Sequence, residues 1–150
     1  MITLQRTEHD NRGFLALVEL LDADLTDRYR SYQKNFTPLN ILDTAVKVVL
    51  AIDGAMAVGC GALRPMDETG TAEVKRMFVL PGYRGKGISK KILQELEAWA
   101  AEEHFTAIRL ETGKKQPEAI ALYESSGYIR TEPYGAYKHI AEAICMRKTL

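Results

Sequence analysis

A strand that runs straight into a glycine turn and then a helix leaves a chain few ways to fold, and residues 74–89 read that way. Val74, Met77, Phe78 and Val79 are strand formers. Pro81 and Gly82 stop the strand, because proline has no N–H to give to a ladder. Gly82, Gly85 and Gly87 let the backbone turn sharply with no Cβ in the way. From Ile88 onward, Ile88, Ile92, Leu93, Leu96, Trp99 and Ala100 recur at helical spacing. The first N–H groups of a helix have no partner inside it and sit at the positive end of its dipole. Arg84 and Lys86 add cationic charge beside them, so the junction suits a phosphate or pyrophosphate.

Two common phosphate loops do not fit. A Walker loop needs G-x-x-x-x-G-K-[ST], but Gly87 is followed by Ile88 and Ser89, with no lysine. A dinucleotide fingerprint needs a third glycine where Lys90 stands. What remains is Arg84-x-x-Gly87-x-Ser89. It resembles the R/Q-x-x-G-x-G/A signature of the GNAT superfamily of N-acetyltransferases. Ser89 replaces the usual Gly or Ala, but it is small and its hydroxyl suits a phosphate. A second stretch, Gln116 to Tyr128, resembles the N-x-x-A-x-x-L-Y-E-x-x-G-F segment of that superfamily. Gln116 stands for asparagine there and Tyr128 for phenylalanine. The two motifs follow in the right order, and the resemblance is close over residues 73–130.

The resemblance implies a fold and a cofactor. The fold is α/β (α+β), a GNAT-type mixed, mostly antiparallel twisted sheet with a central parallel strand pair and flanking helices. The cofactor is acetyl-coenzyme A. The residues implied to hold it are Met77, Phe78 and Val79 on the strand, Arg84, Gly85, Lys86, Gly87, Ile88 and Ser89 in the loop, and Gln116 and Tyr123 beyond. The implied reaction is acetyl transfer to the primary amine of a small molecule, by direct attack in a ternary complex. Two rivals stay open: a non-catalytic acyl-coenzyme A sensor, and a protein lysine or N-terminal acetyltransferase.

Composition narrows the class. The chain has 150 residues, which suits one acetyltransferase domain over 1–150. Its formal net charge is zero, and no basic stripe suggests a nucleic-acid partner. No apolar run approaches a membrane span, and the N-terminus does not read as a signal peptide. Cys60 and Cys145 are too few for a disulfide framework and read as reduced thiols in a cytoplasmic protein. The resemblance leaves room for a homodimer. No metal site is expected.

Taken in order, Ile2 to Thr7 alternates as a strand. Asp10 or Asn11 caps a helix carrying Phe14, Leu17, Val18 and Leu21. A second helix is expected with Leu25, Tyr29, Tyr32 and Phe36 on one face, capped by Asp24 or Thr26 and ended by Pro38. Asp22, Asp24 and Asp27 cluster at that junction, either as caps and a solvated face or as a rim for a cationic substrate. Val46 to Ile52 and Met56 to Ala62 form a hairpin about Asp53-Gly54. In the next strand the alternation slips, since Met77 rather than Arg76 is the apolar residue after Val74. Such a slip marks a β-bulge. Ala107 to Thr112 is then a strand parallel to the bulged one, because a helix crosses between them. A short helix from Pro117, a strand from Tyr128 to Thr131, a loop from Pro133 to His139 and a last strand from Ala143 complete the chain.

Acetyl transfer needs a free lone pair on the amine, a held thioester and a proton for the leaving thiolate. Tyr123 matches the tyrosine that serves as the acid in the family; otherwise it is a helix aromatic. Glu73, on the bulged strand, is the expected base; otherwise it is a surface carboxylate. Glu111 and His139 are further base candidates. Tyr29, Glu111 and Tyr137 are expected near the acceptor, with Tyr32 and Tyr134 as further pocket aromatics.

Overall fold

The computed structural model describes residues 1–29 and 46–150. Its elements are β1 (Ile2–Glu8), α1 (Arg12–Arg28), β2 (Lys47–Asp53), β3 (Met56–Pro65), β4 (Thr71–Val79), α2 (Ile88–Glu102), β5 (Ala107–Gly113), α3 (Pro117–Ser125), β6 (Ile129–Thr131) and β7 (Ala143–Thr149). Two 3-10 turns, Pro81–Tyr83 and Gly135–His139, lie between them. The strands form one sheet in the order β1-β2-β3-β4-β5-β7-β6. Among the described strands only β4 and β5 run parallel, as the crossover through α2 requires.

The expected start of a second helix at Asp24 to Thr26 is corrected, and the rest of that expected helix falls outside the described residues. Phe14, Leu17, Leu21 and Leu25 form one buried stripe, so a single helix runs through to Arg28. Asn11 caps it, its side chain accepting from the Phe14 N–H at 3.0 Å. Asp24 is therefore not a cap; it pairs with Arg28 one turn on. Asp22 pairs instead with Arg76 of β4. Tyr32, Phe36 and Pro38 lie outside the described residues.

Helices cover both faces of the sheet. On one face Ile88, Ile92, Leu93, Leu96 and Ala100 of α2 pack with Val49, Val74, Ile108 and Leu110. On the other, the α1 stripe packs against Val48, Leu50, Cys60 and Phe78. The bulge sits where the alternation slips. Cys60 pairs with Phe78 and Ala62 with Lys75, so Arg76 and Met77 together oppose Gly61. Arg76 takes a left-handed φ of 59° to make the turn.

Gly61 is the space that the bulge and α2 need. A Cβ there would lie 2.8 Å from Leu96 Cδ1 and 2.9 Å from Ile92 Cγ2, and against Met77 Sδ. Gly61→Ala should therefore lower stability by about 1–3 kcal/mol, the usual cost of an overpacked core. Chemical denaturation at constant m-value measures it, and an unchanged midpoint would show that the bulge tolerates the methyl group.

Candidate active site

The parallel ladder between β4 and β5 ends at Val74 opposite Leu110. Beyond that pair β4 bonds only to β3, with Val79 opposite Gly59. β5 continues beside β7, with Glu111 opposite Cys145 and Thr112 opposite Ile144. The two strands thus diverge, and the wedge between them opens into a cleft of about 320 Å³. Residues of α1 wall it on one side and residues of α3 on another.

One end of the cleft is built for an anion. Gly87 sits at the N-cap of α2 with φ 76°, and Gly85 turns with φ 77°. No side chain caps this helix and no acid stands in its first turn. The first intrahelical bond runs from Lys91 N–H to the Gly87 carbonyl, so the amides before it are left for a ligand. Arg84 donates from Nε to the Val79 carbonyl at 2.8 Å, which straps the loop to the end of β4. Its guanidinium also lies 5.4 Å from the Phe78 ring centre.

The other end holds ionisable groups. Glu111 lines the cleft, and burial pushes its carboxyl up to about 7, against the opposing pull of Lys75 and with a smaller push from Glu73. Lys75 lines it too, with its ammonium held below the ordinary lysine value by burial. Tyr123 reaches the cleft from α3, its ring edge-on to Tyr128 at 5.9 Å. Burial, then the charge of Glu111, raises the Tyr123 phenol well above its ordinary value. Tyr29 closes the wall, its hydroxyl accepting from the Lys115 N–H at 2.9 Å.

Most of the residues expected from sequence meet here. Met77, Phe78 and Val79 line the cleft with Arg84, Gly85, Gly87, Ile88 and Ser89. Gln116, Tyr123, Tyr29 and Glu111 complete the set. Three do not line it. Lys86 sits over Tyr83, its Nζ 5.4 Å from that ring centre, and is not part of the lining. Glu73 precedes the split, where β4 is still paired to β5, so the closed sheet holds it off the wedge. Its oxygens receive Arg64 Nε at 2.8 Å and the Tyr134 hydroxyl at 2.6 Å. Tyr137 stands behind Lys75, its hydroxyl accepting from Nζ at 2.8 Å. His139 is exposed and lines nothing in the cleft. Lys75 was missed. Its signal was the strand alternation that puts it on the face of Glu73, but only the register with β5 sets it beside Glu111.

Comparison with known proteins agrees with this geometry. The sequence profile of the Acetyltransferase (GNAT) family matches residues 14–128. An IAA acetyltransferase of Azospirillum brasilense is 33% identical over 150 residues, covering 99% of this chain and 98% of that protein. The structure of a proposed acyl-CoA N-acyltransferase of Klebsiella pneumoniae superposes with TM-score 0.83 at 31% identity, over 100% of this chain and 98% of the other. A GNAT family acetyltransferase of Elizabethkingia anophelis, solved with acetyl-CoA bound, shares the fold at TM-score 0.72 and 20% identity, over 99% and 98% of the two chains. The chain therefore belongs to the GNAT family of acetyltransferases, which take acetyl-coenzyme A as co-substrate.

Proposed function

We propose that this protein transfers the acetyl group of acetyl-coenzyme A to the primary amine of a small molecule, with both bound at once. The observation that carries this reading is one cleft joining an uncapped helix N-terminus to a carboxyl poised near neutrality. The pyrophosphate docks on the first amides of α2 beside Arg84. The pantetheine runs along the edge of β4 that β5 has left, and its thioester reaches Tyr123 and Glu111.

The acceptor arrives as an ammonium and gives a proton to Glu111. Its nitrogen then attacks the thioester carbon, the C–N bond forms, and backbone N–H groups of β4 stabilise the oxyanion. The C–S bond breaks as the Tyr123 phenol gives its proton to the sulfur, which leaves as a thiol; the amine's second proton restores the phenol through solvent, and Glu111 returns its proton to solvent. The raised phenol of Tyr123 carries its proton at rest, so it is loaded to donate when the sulfur departs. Direct attack is favoured over an acyl-enzyme because no described cysteine lines the cleft. Cys60 is fully buried, its thiol pushed up to about 12 by burial and donating to the Arg76 carbonyl at 3.2 Å. The small-molecule reading is supported by the relative named IAA acetyltransferase and by Tyr29, Lys75 and Glu111, which line the wedge.

Three outcomes follow from this assignment. Coenzyme A at millimolar concentration should raise Tm, since a ligand selective for the folded state must do so. Gly87→Asp should remove that shift by placing a carboxylate at a position of φ 76° beside the pyrophosphate; no shift in the wild type would overturn the cofactor site.

The pH dependence tests the base. Glu111 must be ionised to take the proton, so kcat/KM should rise through pH about 7 and level above it, until the acceptor's own ionisation intervenes. Glu111→Gln should remove that limb and lower kcat/KM by roughly 10²–10⁴. An unchanged profile would exclude Glu111 and leave bulk water as the acceptor.

For the acid end, Tyr123→Phe keeps the ring and its packing on Tyr128. Coenzyme A affinity should fall by less than about tenfold, near the worth of one neutral hydrogen bond. Turnover should fall by roughly 10²–10⁴. Unaltered kcat would remove the hydroxyl from the mechanism.

A further inference from the structure

We infer that the acceptor amine also carries a carboxylate, and that Lys75 is the residue that holds it, so the substrate class is a small amino acid. This rests on the N-acetyl transfer proposed above and names the acceptor of that same cleft.

The observations concern one ammonium. The Lys75 side chain is only 4% exposed, yet it lines the cleft. It has three N–H donors. One goes to the Tyr137 hydroxyl at 2.8 Å. The nearest carboxylate oxygen, Glu73 Oε1, is 3.9 Å away, beyond hydrogen-bond reach. That oxygen already receives Arg64, and its twin receives Tyr134. Among the described residues, two donors of a buried cation thus have no acceptor. Leaving a charged group so is costly, and a ligand anion that fills the gap relieves the cost.

The neighbouring groups say which anion. Lys75 and Glu111 are the first residues past the last β4–β5 pair, on the sheet face opposite Val74 and Leu110. Both line the cleft, and no ion pair joins them. Neighbouring strands lie about 4.8 Å apart and these are diverging, so a short molecule fits between the two side chains. A cation on one wall and a carboxylate on the other mirror an amino acid: ammonium to Glu111, carboxylate to Lys75. Arg76, the adjacent cation in the cleft, is engaged by Asp22. A plain amine would satisfy Glu111 and leave the Lys75 donors unfilled. A free phosphate has nothing to give Glu111.

Matched pairs test this: amino acids of varied side chain against their own amides, by free-thiol release with acetyl-coenzyme A. The amide amine is less basic, so intrinsic reactivity favours the amide at neutral pH. The wild type should nonetheless prefer the acid by roughly 10–100-fold in kcat/KM, mostly through KM, as expected for a hydrogen bond to a charged group. Lys75→Met, similar in length, should bring the acid and amide of each pair to parity in kcat/KM, whatever its effect on the rate the two share. Coenzyme A should still raise its Tm as in the wild type. Equal or better use of amides by the wild type, or an acid preference that survives Lys75→Met, overturns the inference and leaves N-acetyl transfer standing. No thiol release with any amine overturns both.

Discussion

The break in pairing between β4 and β5 governs everything functional in this molecule. Two parallel strands normally stay bonded along their shared length, each using one edge on the other. Here the ladder stops at Val74 and Leu110 because the bulge at Arg76 and Met77 bends β4 toward β3. The bend depends on Gly61, the residue opposite, whose missing side chain leaves room for Met77, Ile92 and Leu96. A backbone edge inside a core would be costly, but along a cleft it is available to a ligand. Structural irregularity and binding capacity are here the same feature.

The buried charges beside the split obey the same geometry. Before it, where the sheet is closed, Glu73 is fully matched by Arg64 and Tyr134. Past it, Lys75 and Glu111 line the cleft, Lys75 bonded among the described residues only to the Tyr137 hydroxyl, and burial shifts both toward their neutral forms. Two carboxylates on one sheet face therefore differ in character. Glu73 binds β3, β4 and the segment around Tyr134 together, while Glu111 lines the cleft. Charges matched by the sheet lie on one side of the split, and charges left to a ligand on the other.

Much was legible in the sequence because it depended on neighbours in the chain. Strand alternation, the Asn11 cap, the positive-φ glycines at 85 and 87 and the helical spacing from Ile88 all act over a few residues. The slipped alternation after Val74 even disclosed the bulge. One local reading failed: the acidic residues near 24 looked like a helix junction, but the stripe through Leu21 and Leu25 carried the helix past them. Burial of an apolar stripe outweighs the capping preference of an aspartate, worth about 1 kcal/mol.

What only the tertiary structure decided was the surroundings of each charged side chain. Sequence placed Glu73 and Glu111 on strands that flank one glycine loop and offered both as bases. Their different surroundings depend on the parallel register, which sets Glu73 one residue before the split and Glu111 one residue after it. It also depends on Arg64 and Tyr134, which lie 9 and 61 residues from Glu73 in the chain. Local propensity determines which residues form a strand. It carries no information about which distant hydrogen-bond donor will reach a given carboxylate, because that is fixed only when strand pairing and helix packing are satisfied together.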